Sequence, residues 1–290
     1  MFCSAVGRKL FMRKHDDDPR TEEQIREHYE LEKQLAARLK NSTHEERLHL
    51  YSELYNELYT KLPHHPRNTR RYSAEDARRR AETQLEILKP VLKQDAVCME
   101  IGAGDCSLAC AAAPFVKKIY ALEVSEAASK GYDMPDNVEL VIFDGCNIPL
   151  PSDSVDIAYS MSVIEHLHPE DTMLQLESIA RTLKPGGCYV LDTPHRYIGP
   201  RDISKYFDKV ATGFHLKEYT YRELIGILRK AGFSRVEALM KLKGGYRRFP
   251  IVLPLMVELP LGILPYAARH RLACSKPFRR IMQIRLMAIK

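Results

Sequence analysis

One nine-residue stretch, residues 97–105, constrains the fold of this chain more than any other segment. Its sequence, VCMEIGAGD, reads as an apolar strand with an acidic residue near its end, followed by a turn with glycines at positions 102 and 104. Glycine has no Cβ atom, so such a turn can bend sharply and bring its backbone close to a ligand. In an open α/β sheet, ligands bind beyond the carboxyl ends of the strands. The stretch therefore predicts a ligand site in an α/β fold.

The residues around the two glycines exclude two common phosphate-binding motifs. A dinucleotide fingerprint would have a third glycine at position 107, which is Ser107 here, and a P-loop would have a lysine after the turn. Glu100 instead precedes Gly102 by two positions. A carboxylate at this place suits a ligand that carries positive charge rather than a pyrophosphate. The sulfonium and ammonium groups of S-adenosylmethionine provide such charge, so we expect this cofactor.

Four further apolar segments predict the other strands of a parallel sheet. Near the end of the first lies Glu123, 21 positions after Gly102, and near the end of the second lies Asp144. An acidic residue at about the first spacing binds ribose hydroxyls in dinucleotide-binding folds, and Asp144 is placed to receive an adenine amino group. These predicted strands are residues 118–124, 138–145, 155–160 and 188–192, the last after a helix stop at 183–187.

The ordered series of motifs from Ala81 to Leu239 resembles a class I S-adenosylmethionine-dependent methyltransferase, of the group that includes enzymes of ubiquinone and menaquinone biosynthesis. The resemblance implies a doubly wound, mostly parallel, seven-stranded α/β sheet of the Rossmann-like type, with S-adenosylhomocysteine as the product. The third small position of the family's glycine loop is Cys106 here. The implied cofactor contacts are Glu100, Gly102 and Gly104 at the methionine end, Glu123 at the ribose and Asp144 at the adenine, and Gly145 and Ser160 are further expected cofactor-binding residues.

Three histidines are candidate catalytic residues. Methyl transfer needs a base only when the acceptor must lose a proton, as a hydroxyl must, and an unperturbed imidazole titrates close to neutral pH. His166 is the first choice, because it follows the fourth strand, where a side chain would face the methyl group. A helix cap or a cofactor contact is the alternative role for His166. His195 and His215 lie in a long insertion that we expect to roof the acceptor pocket.

The same region raises the question of a metal. Glu165, His166 and His215 resemble part of the metal site of small-RNA 2′-O-methyltransferases. Those enzymes place a further Glu three residues before the first of these residues, and Ser162 stands there in this chain. We therefore predict no metal, with a weak Mg²⁺ site at the three residues as the alternative.

The chain of 290 residues divides into three predicted parts. Residues 1–72 form an N-terminal helical extension, in which Leu31, Leu35 and Leu39 recur at helical spacing. Residues 73–242 form the methyltransferase domain, and residues 243–290 form an apolar and basic cap. The seven cysteines show no metal-binding spacing, and Met1 to Lys14 show no secretory leader. Both observations predict reduced thiols in a cytoplasmic protein.

The basic charge is concentrated in the last part. Residues 241–290 carry eleven basic residues and a single acid, Glu258, whereas the whole chain has a net charge of +6. This asymmetry indicates an anionic partner. Residues 249–268 are apolar but contain four prolines, which interrupt any membrane span. We favour packing against the domain or over the pocket, with peripheral membrane contact through residues 249–290 as the alternative.

The sequence thus predicts an enzyme that methylates an oxygen of a small-molecule, glycan or lipid-like acceptor by direct displacement, assisted by a histidine base. Fold alone does not define the acceptor. An RNA 2′-O-methyltransferase-like enzyme and a non-catalytic cofactor-binding module are the two alternatives. Nucleic acid is less favoured, because aromatic residues are not interleaved with the C-terminal arginines. The sequence predicts no oligomeric state.

Overall fold

The computed structural model describes residues 18–65, 74–125 and 134–290, which build an eight-stranded mixed sheet with helices packed on both faces. The segment Met1 to Lys14 lies outside the described residues. The strands are β1 (Val97–Ile101), β2 (Lys118–Glu123), β3 (Val138–Ile142), β4 (Val155–Met161), β5 (Leu183–Pro194), β6 (Arg235–Leu242), β7 (Gly245–Pro250) and β8 (Gln283–Ile289). The helices are α1 (Glu22–Lys40), α2 (His44–Lys61), α3 (Ala74–Leu88), α4 (Ser107–Ala112), α5 (Pro169–Thr182), α6 (Tyr221–Lys230), α7 (Val252–Ile263), α8 (Tyr266–Ala273) and α9 (Lys276–Met282).

The strand order is β3-β2-β1-β4-β5-β8-β6-β7, and β1 to β5 are parallel. The chain begins in the middle of the sheet, moves outward to β3 and then returns to place β4 on the other side of β1. This reversal opens a crevice beyond the carboxyl ends of β1 and β4, which is where open α/β sheets bind ligands. The predicted doubly wound, mostly parallel α/β fold is confirmed.

The predicted number of seven strands is wrong, because β7 adds an eighth. β7 pairs antiparallel with β6 through a turn at Gly244 and Gly245, whose φ angles are +91° and +121°. Glycine adopts such positive φ angles without a steric penalty, so the pair forms the tight turn between β6 and β7. β8 then returns to the sheet between β5 and β6, antiparallel to both. The sheet therefore crosses the expected boundary at residue 243, because the last segment supplies two of its strands.

Side chains alternate between two apolar cores along the central strands. In β1, Met99 and Ile101 face one core while Cys98 faces the other, as the period of two along a strand requires. Each core needs a covering layer, and α5 to α9 cover one face while α3 and α4 cover the other. The six cysteines of the described ranges are free thiols.

A capping box begins each of the helices α2 and α6. The Thr43 hydroxyl accepts from the Glu46 N–H at the start of α2, and the Thr220 hydroxyl accepts from the Glu223 N–H at the start of α6. The carboxylate of each glutamate in turn accepts a hydrogen bond from the backbone N–H of its threonine. Two orphan N–H groups are thereby satisfied at each helix start.

The N-terminal helices pack over the carboxyl edge of the sheet. Leu54 and Leu58 of α2 join Leu167 and Phe214 in one apolar cluster. Arg47 of α2, only 1% exposed, forms an ion pair with Asp171 at the start of α5. The extension is therefore fixed to the domain by both apolar and charged contacts, and it closes one side of the crevice.

The C-terminal helix α7 has one buried and one exposed side. Pro254, Glu258 and Leu261 are buried against the domain, while Met256 and Ile263 are exposed. The favoured expectation, packing against the domain, thus describes one face of this helix. Within the described ranges, no helix has the length and apolar character needed to cross a bilayer.

Candidate functional site

A cavity of about 600 Å³ lies beyond the carboxyl ends of β1, β2 and β4, beneath α2. Its floor is the glycine turn and the strand ends, and its roof comes from the N-terminal helices and from the loop around Phe214. The cavity is lined by residues from both: Glu32, Tyr51, Ser52, Tyr55, Asn56, Leu58, Tyr59, His65, Ile101, Gly102, Gly104, Glu123, Val124, Ser125, Phe143, Gly145, Ser162, Val163, His166, Leu167, Gln175 and Phe214.

The glycine turn has the left-handed backbone that its sequence suggested. Gly102 and Gly104 have φ angles of +70° and +56°. A Cβ atom at Gly102 would lie 2.6 Å from Val163 Cγ2, whereas a Cβ atom at Gly104 would enter open space. Cys106 has a φ of +57° and is fully buried at the start of α4. The turn is therefore tight on its inner side and open toward the cavity.

Glu123 connects the end of β2 to this turn. Its Oε2 accepts a hydrogen bond of 2.7 Å from the Gly104 N–H, and its Oε1 accepts one of 2.8 Å from the Val124 N–H. Glu123 lines the cavity, so the same carboxylate that orders the turn also faces the space where a ligand would lie. The acidic residue and the glycine turn that the sequence motif pairs are therefore in direct contact.

Glu100 lies behind the turn, among the residues that support the cavity wall. It is 4% exposed, and its Oε2 is 3.5 Å from the Tyr159 hydroxyl. Burial, together with the nearby charge of Asp105, raises the pKa of Glu100 well above its usual value. A cationic group in this region would favour its ionised form.

The expected adenine side is divided between the wall and the loop behind it. Phe143 and Gly145 line the cavity, and the Gly145 carbonyl accepts a bond of 2.6 Å from Gln175 Nε2. The Asp144 carboxylate accepts from the backbone N–H groups of Cys146 and Asn147, so it shapes the loop rather than the wall. The structure thus brings Gly145 to the cavity and leaves Asp144 beside it.

Ser160 lies within the sheet, outside the described cavity wall. Its Oγ is 2.6 Å from the Tyr189 hydroxyl, and the side chain is 1% exposed. Of the seven expected cofactor residues, the structure gathers Gly102, Gly104, Glu123 and Gly145 around the cavity. Glu100, Asp144 and Ser160 are not among the residues that line it.

The charge of the cavity suits a cationic ligand. Among the described residues that line it, none is Lys or Arg, while Glu32 and Glu123 contribute carboxylates. A ligand with a pyrophosphate would find no cation here, whereas a sulfonium or ammonium group would be favoured. The open space at Gly104 and the acidic lining together fit S-adenosylmethionine.

His166 is the candidate base that lines the cavity. Its Nδ1 is 2.9 Å from the Phe214 carbonyl oxygen. A carbonyl can only accept, so Nδ1 carries the proton and Nε2 of the neutral ring keeps its lone pair. Burial and the charge of His215 lower the pKa of His166 to about 3. The ring is therefore neutral at physiological pH.

Glu165 and His215 lie behind His166, away from the described cavity wall. The His166 and His215 rings are 4.9 Å apart, and His215 Nδ1 is 2.8 Å from Glu218 Oε1. Burial lowers the pKa of His215, but the bond to Glu218 and the charge of Glu165 raise it above the usual value.

Burial raises the pKa of Glu165 to about 7. Its Oε2 accepts from the Thr193 hydroxyl, while its Oε1 has no hydrogen-bond partner among the described residues. His166, Glu165 and His215 each have an atom within 4.8 Å of the others. Ser162, which replaces the family's further glutamate, lines the cavity. The weak magnesium site stays an untested alternative.

His195 is separate from this group, which corrects its expected place in the acceptor pocket. Its Nδ1 accepts from the Tyr197 N–H at 3.0 Å, so Nε2 carries the proton and donates to Glu258 at 2.7 Å. Both ring nitrogens are thereby used, and the side chain is fully buried. His195 joins the end of β5 to α7 and cannot accept a proton from a ligand without breaking these bonds.

Sequence reasoning missed the contribution of α2 to the cavity. Tyr51, Tyr55 and Tyr59 follow one another at four-residue intervals and line the cavity together. Their spacing was visible in the sequence as a helical stripe, but a tyrosine stripe indicates a packed core as readily as a ligand wall. Only the position of α2 over the crevice distinguishes the two.

The central part of the chain is similar to known proteins. Residues 99–191 match the family model described as a methyltransferase domain. A probable S-adenosylmethionine-dependent methyltransferase of Mycolicibacterium smegmatis is 36% identical over 87 residues, covering 30% of this chain and 32% of that protein. A protein of the same description from Mycobacterium tuberculosis is 29% identical over 139 residues, covering 48% of each.

A solved structure extends the comparison at the level of the fold. Phosphoethanolamine N-methyltransferase 1 of Haemonchus contortus, in complex with phosphoethanolamine and S-adenosylhomocysteine, has a TM-score of 0.55 and 14% identity, and the match covers 86% of this chain and 50% of that one. The chain spans between about a third and a half of the curated relatives it matches.

Proposed function

We propose that this chain, which carries a class I S-adenosylmethionine-dependent methyltransferase domain, methylates an oxygen atom of a small-molecule, glycan or lipid-like acceptor, with His166 as the base. The observation that carries the proposal is the tautomer of His166. Its ring lines the cavity and its proton is held on Nδ1 by the Phe214 carbonyl. Nε2 is left with a lone pair that can accept the proton of a hydroxyl bound in the cavity.

When bound, S-adenosylmethionine would supply a methyl group on a sulfonium for direct displacement by the acceptor oxygen, with neutral S-adenosylhomocysteine as the leaving product. Gly102 and Gly104 let the backbone approach this cofactor, and Glu123 orders the turn and favours positive charge. The Tyr51, Tyr55 and Tyr59 wall holds the acceptor in line, since alignment accounts for much of the rate of a direct displacement.

A pKa of about 3 makes His166 a weak base, but a weak base is sufficient for this reaction. The hydroxyl proton of the acceptor becomes strongly acidic as the new carbon–oxygen bond forms. An unprotonated imidazole can then take that proton on Nε2. Because its pKa is low, the His166 ring is unprotonated across the whole neutral range.

The lining of the cavity also bears on the chemical class of the acceptor. The Haemonchus neighbour has phosphoethanolamine as its ligand. None of the described lining residues in this chain is Lys or Arg, so a phosphate would lack a cationic partner here. Tyrosine rings and neutral polar groups such as Asn56 suit a hydroxylated acceptor with apolar faces. These features favour an oxygen acceptor without phosphate near the reacting atom.

The test uses methyl-labelled S-adenosylmethionine, the purified chain and an extract of its source cells, with products separated into organic, small aqueous and macromolecular fractions. We expect label in the organic or the small aqueous fraction. His166→Ala should lower the rate by at least about a hundredfold while leaving cofactor affinity, measured by calorimetry, nearly unchanged. His49→Ala, an exposed histidine of α2, is the matched control.

Three results would contradict parts of the proposal. Tight cofactor binding without label transfer to any fraction would favour a non-catalytic module. Label in RNA would favour the nucleic-acid alternative, and a steep loss of RNA affinity with salt would support it. Full activity of His166→Ala would exclude this histidine as the base while leaving the methyltransferase assignment intact.

A further inference from the structure

Helix α7 exposes a continuous apolar stripe. Met256, Leu259 and Ile263 are 65%, 50% and 86% exposed, and Val252 and Leu253 are exposed on the same helix. With about 3.6 residues per turn, these five positions fall within roughly a third of the helix circumference. Such a stripe is unusual on a soluble domain, where exposed apolar side chains are normally scattered.

The opposite side of α7 fixes the direction of the stripe. Glu258 is 2% exposed, and its carboxylate accepts hydrogen bonds from the backbone N–H groups of Tyr221 and Arg222 and from the His195 ring. Leu261 is buried in the apolar core that α5 to α9 cover. The helix is therefore held by its inner face, and the outward direction of the apolar side chains follows from that anchoring.

The helices next to α7 add a strong positive charge. Residues 259–290 contain seven basic residues and no acid, and α8 and α9 pack against α7. Four of these cations are exposed and form no ion pair with a carboxylate among the described residues: Arg271, Lys276, Arg279 and Arg280. The only acid of residues 241–290, Glu258, points inward. The outer surface of this segment is thus apolar and cationic without compensating negative charge.

We propose that helices α7 to α9 bind the surface of an anionic lipid bilayer, with α7 lying in the plane of the interface. Apolar side chains of α7 would enter the boundary between headgroups and acyl chains, while the four exposed cations would contact lipid phosphates. At about 18 Å, twelve residues of helix are too short for a hydrocarbon core of about 30 Å, so α7 lies on the membrane and does not cross it.

Two other occupants of this surface fit less well. A second copy of the chain would bring like charges of α8 and α9 together, which disfavours a symmetric contact. RNA would satisfy the cations but would leave the α7 stripe without an apolar partner. An anionic bilayer offers an apolar partner to the α7 stripe and negative charge to the exposed cations. We therefore favour it over the other two occupants.

The test is co-sedimentation of the full chain with vesicles of phosphatidylcholine, with and without phosphatidylglycerol. We expect binding to the anionic vesicles that weakens with salt, and much weaker binding to the neutral ones. The combined variant Met256→Gln, Leu259→Gln and Ile263→Gln should reduce the partition coefficient at least about tenfold. Leu174→Gln, which alters a leucine 40% exposed on α5, is the matched control and should bind like the unmodified chain.

A second variant isolates the charge. Arg279→Gln with Arg280→Gln should weaken binding to anionic vesicles several-fold and reduce its salt dependence, without changing the thermal unfolding midpoint. Absence of vesicle binding at low salt would overturn the proposal, as would equal binding by the stripe variant and the Leu174→Gln control. A dimer in solution that the stripe variant dissociates, combined with no vesicle binding, would assign this face to a second copy instead.

Discussion

Arg47 of α2 and Asp171 at the start of α5 form a two-pronged ion pair that is almost fully excluded from solvent. Arg47 Nε donates to Oδ2 at 2.6 Å, and Nη2 donates to Oδ1 at 2.9 Å. Tyr51, which lines the cavity, donates its hydroxyl to the same carboxylate at 2.6 Å. One carboxylate therefore fixes both the helical extension and a residue of the cavity wall.

Removing this carboxylate should loosen the roof of the cavity. Asp171→Asn leaves the buried Arg47 with only the exposed Glu170 as a charged partner, and removal of one partner from a buried ion pair costs about 3 kcal/mol or more. We expect a lower free energy of unfolding in urea and a higher KM for the acceptor, with little change in cofactor affinity. Glu57→Gln, which breaks an exposed ion pair between α1 and α2, is the control. An unchanged unfolding midpoint in Asp171→Asn would contradict the anchoring role.

The same pair predicts a pH dependence of stability. Burial by itself raises the pKa of Asp171, but hydrogen bonds from Arg47, Tyr51 and His44 lower it below the usual value. A carboxylate with a lowered folded pKa stabilises fully above its unfolded pKa of about 4, and the contribution is lost as pH falls through the folded pKa. The stability difference between the unmodified chain and Asp171→Asn should therefore be constant from neutral pH to about 5 and shrink below about 4. Urea unfolding across this pH range measures the stability difference. A difference that grows as the pH falls would contradict a lowered pKa of Asp171 in the folded state.

The glycine turn predicts a position-specific loss of cofactor binding. Gly102→Ala places a Cβ atom 2.6 Å from Val163 and forces an alanine to a φ of +70°. We expect cofactor affinity to fall by at least about tenfold, because the turn must shift to relieve both strains. Gly186→Ala also has a positive φ, of +78°, but its Cβ atom would meet nothing within 4 Å. Gly186→Ala should lower the free energy of unfolding without reducing cofactor affinity. Similar calorimetric cofactor affinities for the two variants would exclude the steric argument.

Glu258 predicts how α7 is attached to the domain. Its carboxylate accepts from His195 and from the first N–H groups of α6, so Glu258→Gln replaces an anionic acceptor by a neutral amide. We expect a loss of about 2 kcal/mol or more in the free energy of unfolding and faster hydrogen exchange in α7 than in β1. Glu75→Gln, on the exposed side of α3, should change neither quantity. Exchange in α7 at the unmodified rate would show that the helix is held by its apolar contacts alone.

The sequence by itself determined the parallel part of the sheet and its ligand turn. The apolar strand that ends at Glu123 is a local feature with a local cause. The turn that needs glycine at positions 102 and 104 is local in the same sense. The capping boxes at Thr43 and Thr220 are equally local, since each is closed by a residue three positions away. Such features can be predicted because the interacting groups are neighbours along the chain.

Only the tertiary structure decided which side chains meet at the cavity. His166 and Phe214 are 48 residues apart, and their bond sets the tautomer of the candidate base. His195 was also a candidate base, yet the hydrogen bond from its Nε2 to Glu258, 63 residues away, occupies its ring. The insertion of β8 between β5 and β6 and the exposed stripe of α7 likewise depend on which segments of the chain pack together. Hydrophobic and hydrogen-bonding contacts over such separations depend on the packing of the whole chain, and no local pattern encodes them.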